Sequence, residues 1–160
     1  MNTYIRSLAK TGLATTATAV VGALGTDTGS TWYKKLDKPD WQPAPEVFPI
    51  AWTTLYALIA HSSARTLANL KDEGDKKKVR RFRRALGINL TLNAAWCHLF
   101  FQAKNTKAAT AGAVALAISS CDLARRARKV RPSSGLLLLP YSAWTAFAAA
   151  LSSEIDLRNS

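Results

Sequence analysis

Apolar residues along the chain gather into five stretches that polar segments separate. The stretches are Leu8–Leu24, Phe48–Leu70, Phe82–Ala103, Ala108–Ala124 and Gly135–Ile155. Each has roughly the 20 residues that an α-helix needs to cross a bilayer core at about 1.5 Å per residue. Alanine and threonine dominate the stretches, and small side chains let membrane helices approach one another closely. The pattern predicts an all-α integral membrane protein whose residues 1–160 form one bundle of five transmembrane helices.

A soluble helical bundle is the alternative, because the mean hydropathy is only −0.03. The distribution of positive charge favours the membrane. If all five stretches cross, the N-terminus and the second and fourth connections share one side, and that side carries sixteen of the 22 Lys and Arg residues. Lys and Arg are retained on the cytoplasmic side of membranes. We therefore expect a multi-pass protein of a bacterial cell membrane with a cytoplasmic N-terminus.

The connections differ in character. Lys71–Lys78 and Arg125–Pro132 are strongly charged and are predicted to be polar turns. The first connection, 26–45, instead contains Trp32, Tyr33 and Trp41 together with three prolines. Tryptophan and proline with few aliphatic residues are typical of an ordered segment, so this connection is predicted to form an aromatic lid.

Aromatic residues recur about one helical turn apart inside three of the predicted helices. They are Trp52 with Tyr56, Trp96 with Phe100, and Tyr141, Trp144 and Phe147 in succession. Side chains at this spacing share a helix face, and aromatic faces that converge form an apolar slot for a flat ring. Core packing or an interfacial aromatic belt is the alternative. Asn89 and Asn93 share a face of the third helix; the first is expected to be structural and the second to face the cavity.

Several kinds of chemistry find no support in the sequence. It contains no nucleophilic triad, phosphate loop or paired-carboxylate motif, and no metal site is expected. His61 and His98 are each predicted to be a buried, hydrogen-bonded histidine in preference to an axial haem ligand. Cys97 and Cys121 are interpreted as small core residues. Asp122 is predicted to pair locally with the arginines that follow it.

Nucleic acid is a poor explanation of the positive charge. The basic residues lie in short connections beside apolar stretches, and the aromatic residues lie elsewhere. Single-stranded nucleic acid is bound where cations and aromatic side chains are interleaved. We therefore expect a lipid bilayer, and no nucleic acid, as a partner.

Three long motifs carry a resemblance to a known family. They are WYKKLDKPDWQPAPEVFP with AWTTLY (residues 32–49 and 51–56), NLTLNAAWCHLFF (89–101) and LLLLPYSAWTAFAAAL (136–151). In order and spacing they resemble the translocator protein (tryptophan-rich sensory protein) family over nearly the whole chain. Ala44 and Ser152 depart from the family pattern, and the C-terminal sterol-binding pattern of animal members is missing.

The resemblance implies a membrane-embedded binding protein for porphyrin or haem, acting in sensing, transport or homeostasis and requiring no cofactor. It also implies a homodimer, for which 108–117 offers a small-residue face. The alternative is light-dependent breakdown of protoporphyrin, with Trp52 and Trp144 as the catalytic residues. The ligand-binding residues implied are Trp32, Tyr33, Trp41, Pro43, Phe48, Trp52, Tyr56, Asn93, Trp96, Phe100, Trp144, Phe147 and Ala148.

Overall fold

The fold was obtained as a computed structural model that describes residues 2–160. Within these residues the chain forms six α-helices and no β-strand. The helices are α1 Thr3–Gly25, α2 Thr31–Lys35, α3 Val47–Asp72, α4 Lys76–Cys97, α5 Thr106–Val130 and α6 Pro132–Arg158. A π-helical turn, His98–Gln102, continues α4. The all-helical prediction is confirmed.

The helix count differs from the predicted five, because the aromatic connection contains the additional short helix α2. Four of the five apolar stretches lie within one long helix each, and the third, Phe82–Ala103, runs from α4 through the π-helical turn to Ala103. The prediction of a polar turn over Arg125–Pro132 was wrong: α5 runs to Val130, and only Arg131 separates it from α6. Lys and Arg form helices readily and are favoured in a last turn, while proline suits a first position.

Side chains cap four of the helices at their N-terminal ends. Asn2, Ser30, Asp75 and Asn105 each accept a hydrogen bond from a backbone N–H three residues further along the chain. Gly74, just before the cap of α4, has a φ of +74°. This left-handed conformation suits glycine and lets the chain reverse sharply between α3 and α4.

Successive long helices run in opposite directions; α5 on α6 is the most extensive contact, and α1 packs antiparallel to α3 and parallel to α4. Two clusters of buried residues fill the bundle. The aliphatic core includes Leu55, Ile59, Leu67, Leu70, Leu86, Leu123 and Leu138. The aromatic core contains Phe100, Phe101, Leu151 and Ile155, with Trp32, Tyr33, Phe48, Trp96 and Phe147 packed against it. The aliphatic core lies towards the basic end of the bundle, where α3 meets α4, and the aromatic core lies beneath 26–45.

Of the helices described, α6 alone is both long enough and apolar enough to cross a membrane by composition. α4 and α5 carry seven and six charged residues, against three in α6. Asp122 in α5 lies 2.6 Å from the Arg125 Nη2 and 2.7 Å from the Arg126 Nε, which confirms the predicted local ion pairs.

Candidate ligand cavity

A cavity of about 560 Å³ opens between the first connection and the adjoining ends of α1, α3, α4 and α6. Its volume is within the range of roughly 300–1,000 Å³ that is typical of small-molecule sites. Apolar and aromatic side chains form most of its wall. In the described part of the chain, no Lys, Arg, Asp, Glu or His side chain lines it.

Two aromatic pairs form part of the cavity wall. Trp52 and Tyr56 on α3 are stacked, with their ring centroids 5.6 Å apart and an interplanar angle of 30°. Trp96 on α4 and Phe100 in the π-helical turn are 6.2 Å apart at 36°. The π-helical turn follows α4 directly, so it changes the direction in which Phe100 projects. The two pairs therefore present flat apolar surfaces to a ligand in the cavity.

The lid is held by contacts around Tyr33. Its ring lies 5.3 Å from that of Phe101, and its hydroxyl accepts a hydrogen bond of 3.3 Å from the Gln42 Nε2. The Lys38 ammonium donates to the Tyr33 carbonyl oxygen at 2.6 Å and lies 4.4 Å from the centre of the ring. The amide oxygen of Gln42, a lining residue, is buried and has no hydrogen-bond partner within residues 2–160. This oxygen is an acceptor that a ligand N–H group can satisfy.

A chain of hydrogen bonds leads from the cavity into the bundle. The Tyr56 hydroxyl donates to the Asn93 Oδ1 at 2.8 Å, and the Asn93 Nδ2 donates to the Tyr141 hydroxyl at 3.1 Å. Tyr141 donates in turn to the Asn89 Oδ1 at 2.8 Å. The Asn89 Nδ2 then lies 3.2 and 3.1 Å from the hydroxyls of Ser119 and Ser120. Asn89 is thus structural and Asn93 lines the cavity, as the sequence predicts.

Seven of the thirteen residues implied as ligand-binding line this cavity. They are Tyr33, Phe48, Trp52, Tyr56, Asn93, Trp96 and Phe100. The other six are not part of its wall: Trp32, Trp41, Pro43, Trp144, Phe147 and Ala148. Among these, Trp32 packs edge-on against Phe100, at 5.6 Å between ring centroids.

The two tryptophans implied as catalytic lie in contact, one behind the other. Trp52 lines the cavity, and the Trp144 ring meets it edge-on at 6.3 Å and 90°. The rings of Phe48 and Phe147 pack against that of Trp144, with centroid distances of 5.8 and 5.4 Å. Phe147 also packs against Trp41, at a centroid distance of 5.7 Å. The Trp144 Nε1 is buried without a partner in the described residues. The structure therefore brings the pair together without placing both rings on the cavity.

Sequence reasoning missed part of the wall. Ala19, Gly22 and Ala23 on α1 form one side, and their spacing of three and four residues is the signal that could have found them. Ser152 also lines the cavity and accepts a hydrogen bond of 3.3 Å from the Trp96 Nε1. Cys97 is a lining residue as well.

Other expectations are settled by the placement of single side chains. Cys121 is exposed on α5, so its interpretation as a core residue was wrong. The His61 Nδ1 lies 2.6 Å from the Tyr4 hydroxyl, and the His98 Nε2 lies 2.9 Å from the Val21 carbonyl oxygen. Both histidines are hydrogen-bonded as predicted, but each is only partly buried, and both lie outside the cavity wall. Residues 2–160 contain no cluster of three or more His, Cys, Asp or Glu side chains suited to a metal ion.

Comparison with known proteins agrees with the motifs and with the fold. The chain is 38% identical to the uncharacterized membrane protein YtaB of Bacillus subtilis, over 80% of each chain. It is 34% identical to the translocator protein of Ovis aries, over 81% of this chain and 78% of that one. It is 31% identical to the tryptophan-rich protein TspO of Chlorobaculum tepidum, over 97% of both.

The sequence model of the TspO/MBR family matches residues 11–158. The matched range includes the aromatic lid, all the residues that line the cavity and the hydrogen-bonded chain beneath it. The chain therefore belongs to the TspO/MBR family of membrane proteins.

Proposed function

We propose that the protein binds a tetrapyrrole of the porphyrin type in the cavity beneath the aromatic lid, as part of the sensing, transport or homeostasis of such compounds. The observation that carries the proposal is the pair of aromatic walls, Trp52 with Tyr56 and Trp96 with Phe100, on a cavity of about 560 Å³. A flat, apolar ring gains stacking energy from such walls. One relative, from Cereibacter sphaeroides, is named a tryptophan-rich sensory protein, and the relative from Ovis aries is named a translocator protein.

The lining favours recognition of the ring itself over ligation of an iron at its centre. No histidine or methionine lines the cavity in the described part of the chain. Within residues 2–160, the only lining side chains that could ligate a haem iron are the Cys97 thiol and the phenols of Tyr33 and Tyr56. A metal-free ring, in contrast, needs no axial ligand, and the apolar aromatic lining suits its flat faces. We expect protoporphyrin to bind at least as tightly as haem.

The five long helices are proposed to span the bilayer, with the N-terminus and Gly74 on the cytoplasmic side. The support is the excess of Lys and Arg in the N-terminal region and at the ends where α3 meets α4 and α5 meets α6. Labelling of cysteines from outside the cell tests the topology, in a Cys121→Ala background that removes the exposed native thiol. Asn159→Cys should be labelled and Gly74→Cys should not. The reverse result would contradict the topology.

Light-dependent breakdown of protoporphyrin is the second candidate function. It is favoured by the contact of Trp144 with Trp52, since the hole left when Trp52 donates an electron to the excited ring can pass to Trp144 until an electron released by the opening ring refills it. Dioxygen would be the oxidant that accepts the electrons released when the ring opens. On this proposal Trp52 is the direct donor and Trp144 supports it from behind.

Titration of the full chain in detergent tests both functions. Protoporphyrin and haem are added in the dark, tryptophan fluorescence and the porphyrin absorption band are followed, and the protoporphyrin sample is then illuminated in air. Saturable quenching with one ring per chain supports binding, and loss of the absorption band only with protein present supports breakdown. Absence of saturable binding for both compounds would remove the proposed function, and survival of breakdown in Trp52→Phe would remove Trp52 from the chemistry.

A further inference from the structure

A groove runs along the outer seam between α1 and α4, on a surface separate from the ligand cavity. It consists of three adjoining depressions of about 440, 230 and 860 Å³. The first two share Lys71 and Arg83, and the second and third share Ala14 and Leu90. The shared residues make the three depressions one continuous surface, from the basic end of the bundle towards the π-helical turn.

The basic end of this groove is a cluster of cations. Lys10, Lys71, Lys76, Arg80 and Arg83 line the two smaller depressions. Within residues 2–160 none of the five takes part in an ion pair, whereas Asp75 pairs with Lys78, which lies outside the groove. Asp72 and Glu73, the carboxylates that follow Lys71, are exposed. Mutual repulsion among these cations is relieved when an anion binds between them.

Lys71 is the cation held most firmly in the cluster. Its ammonium donates a hydrogen bond of 2.8 Å to the hydroxyl of Ser7, a side chain that is 1% exposed. Burial lowers the pKa of Lys71, and the neighbouring Arg83 and Lys10 lower that pKa further, while Asp72 opposes the shift. The same contacts place the ammonium between α1, α3 and α4, at the junction of the two smaller depressions.

The rest of the groove is apolar and shallow. The largest depression is lined by small and aliphatic side chains, among them Ala17, Val21, Leu90, Ala94 and Leu99. From Arg83 to Leu99 the chain rises about 24 Å at 1.5 Å per residue. That distance exceeds one leaflet, about half of the roughly 30 Å hydrocarbon core. A charged head site thus continues into an apolar channel long enough for one fatty-acyl chain.

We propose that this groove binds an anionic phospholipid, with the phosphate among Lys10, Lys71 and Arg83 and an acyl chain along the seam of α1 and α4. Basic pockets between membrane helices suit the phosphate of such a lipid, and each cation near an anionic headgroup contributes to its retention. The apolar part of the groove then selects a lipid over a water-soluble phosphate.

A second copy of the chain fits this groove less well. Parallel copies related by a two-fold axis would place the same end of each groove in the same leaflet. The cation clusters of the two copies would then face each other across the interface, which costs electrostatic energy in a low-dielectric environment. An anionic lipid instead neutralises the cluster.

Native mass spectrometry of the full chain in detergent tests the proposal, with phosphatidylglycerol and phosphatidylcholine of identical acyl chains as the probes. Lys71→Gln/Arg83→Gln should weaken phosphatidylglycerol binding at least tenfold and leave the weaker phosphatidylcholine binding unchanged. The matched control is Lys77→Gln/Arg81→Gln, which removes the same charge from the same end of the bundle but outside the groove. It should change phosphatidylglycerol binding less than twofold.

The acyl part of the groove is tested without a change in charge. Ala17→Trp on α1 and Ala95→Trp on α4 each fill the groove from an exposed position. Both variants should weaken phosphatidylglycerol binding severalfold, and their circular dichroism spectra should not change. Three results would overturn the proposal: equal loss in the control variant, equal affinity for glycerophosphoglycerol lacking acyl chains, or conversion of a dimer to a monomer by Ala17→Trp with lipid binding intact. The second result would indicate a site for a free phosphate ester, and the third a site for a second copy.

Discussion

The two ends of the helical bundle are built from different side chains and differ in the space that they leave between the helices. At the basic end, leucines and small residues fill the core, and a Cβ atom added at Gly135 would lie 2.8 Å from the Arg128 Cα. At the opposite end, large aromatic rings meet edge-on or tilted, and the helices leave a cavity of about 560 Å³. Small and aliphatic side chains thus fill one end, whereas rings that interdigitate less closely leave room for a ligand at the other.

The polar chain from Tyr56 to Asn89 marks the boundary between the two ends. It joins α3, α4, α5 and α6 through amides and hydroxyls, and Asn89 and Asn93 are 0% and 1% exposed. A buried amide inside an apolar bundle is tolerated only when its hydrogen bonds are made. The chain therefore fixes the relative positions of four helices at the floor of the cavity.

The largest expected effect is a loss of stability when the close contact at the basic end is widened. Gly135→Val should lower the free energy of unfolding by about 3 kcal/mol, at the upper end for overpacked cores, because the added atoms meet the Arg128 backbone. Thermal denaturation in one fixed detergent measures the change.

Gly87→Ala is the control for this substitution, because nothing lies within 4 Å of the Cβ atom it adds. It should be neutral or stabilise by about 0.5–1 kcal/mol, since alanine favours the helix. If both glycine variants lost stability to the same extent, the close packing at the basic end would not be the cause.

The next largest expected effect is on ligand affinity, when each of the two tryptophans is truncated. The two variants distinguish a residue of the cavity wall from a residue that packs behind the wall. Trp52→Ala should weaken protoporphyrin binding about tenfold or more, because one stacked ring contributes on the order of 1–3 kcal/mol. From sequence alone the same loss is predicted for Trp144→Ala. The structure reduces that expectation to about two- to threefold, since Trp144 contacts Trp52 and not the cavity. Equal losses in dark titrations would place Trp144 on the ligand.

A smaller effect distinguishes the two amides of the polar chain. Asn89→Leu should cost about 1–2 kcal/mol of stability, because the buried Tyr141 hydroxyl loses its acceptor, and should leave protoporphyrin affinity within twofold. Asn93→Leu should change the affinity severalfold, because Asn93 lines the cavity and holds the Tyr56 hydroxyl. Thermal denaturation and dark titration of both variants measure the two effects. If Asn89→Leu altered affinity more than Asn93→Leu, the floor of the cavity would lie deeper in the bundle.

The sequence predicts the long helices well because the apolar stretches that mark them are local features. It predicts the cavity in part: Trp52, Tyr56 and Asn93 are found from their helical spacing and motif. The position of Trp144 behind Trp52 could not be predicted, since it depends on how α6 rotates against α3. The α5–α6 junction was missed for another reason: Arg125–Pro132 is charged enough for a turn, yet these residues are also good helix formers. The local sequence pattern alone does not decide between a polar turn and a continued helix.

The smallest expected effect on the single chain concerns the outer face of α5. Ala109 and Ala113 of the small-residue face are buried within the chain, at 0% and 1% exposure, whereas Ala111 is exposed and Val114 and Ile118 are 45% and 67% exposed. The inward alanines thus serve packing inside the chain, Ala109 against Leu151 and Ile155 of α6, and only the outward residues remain for the proposed homodimer. Ala111→Trp should change monomer stability by no more than about 0.5 kcal/mol, as for other surface substitutions, because no internal contact is lost. It should nevertheless shift dimers to monomers, since helices that associate through small residues cannot admit an indole ring. Analytical ultracentrifugation in matched-density detergent measures the shift, with Ala111→Ser as the control that keeps the residue small. A wild-type chain that is monomeric in several mild detergents and in lipid would remove this face as a dimer interface.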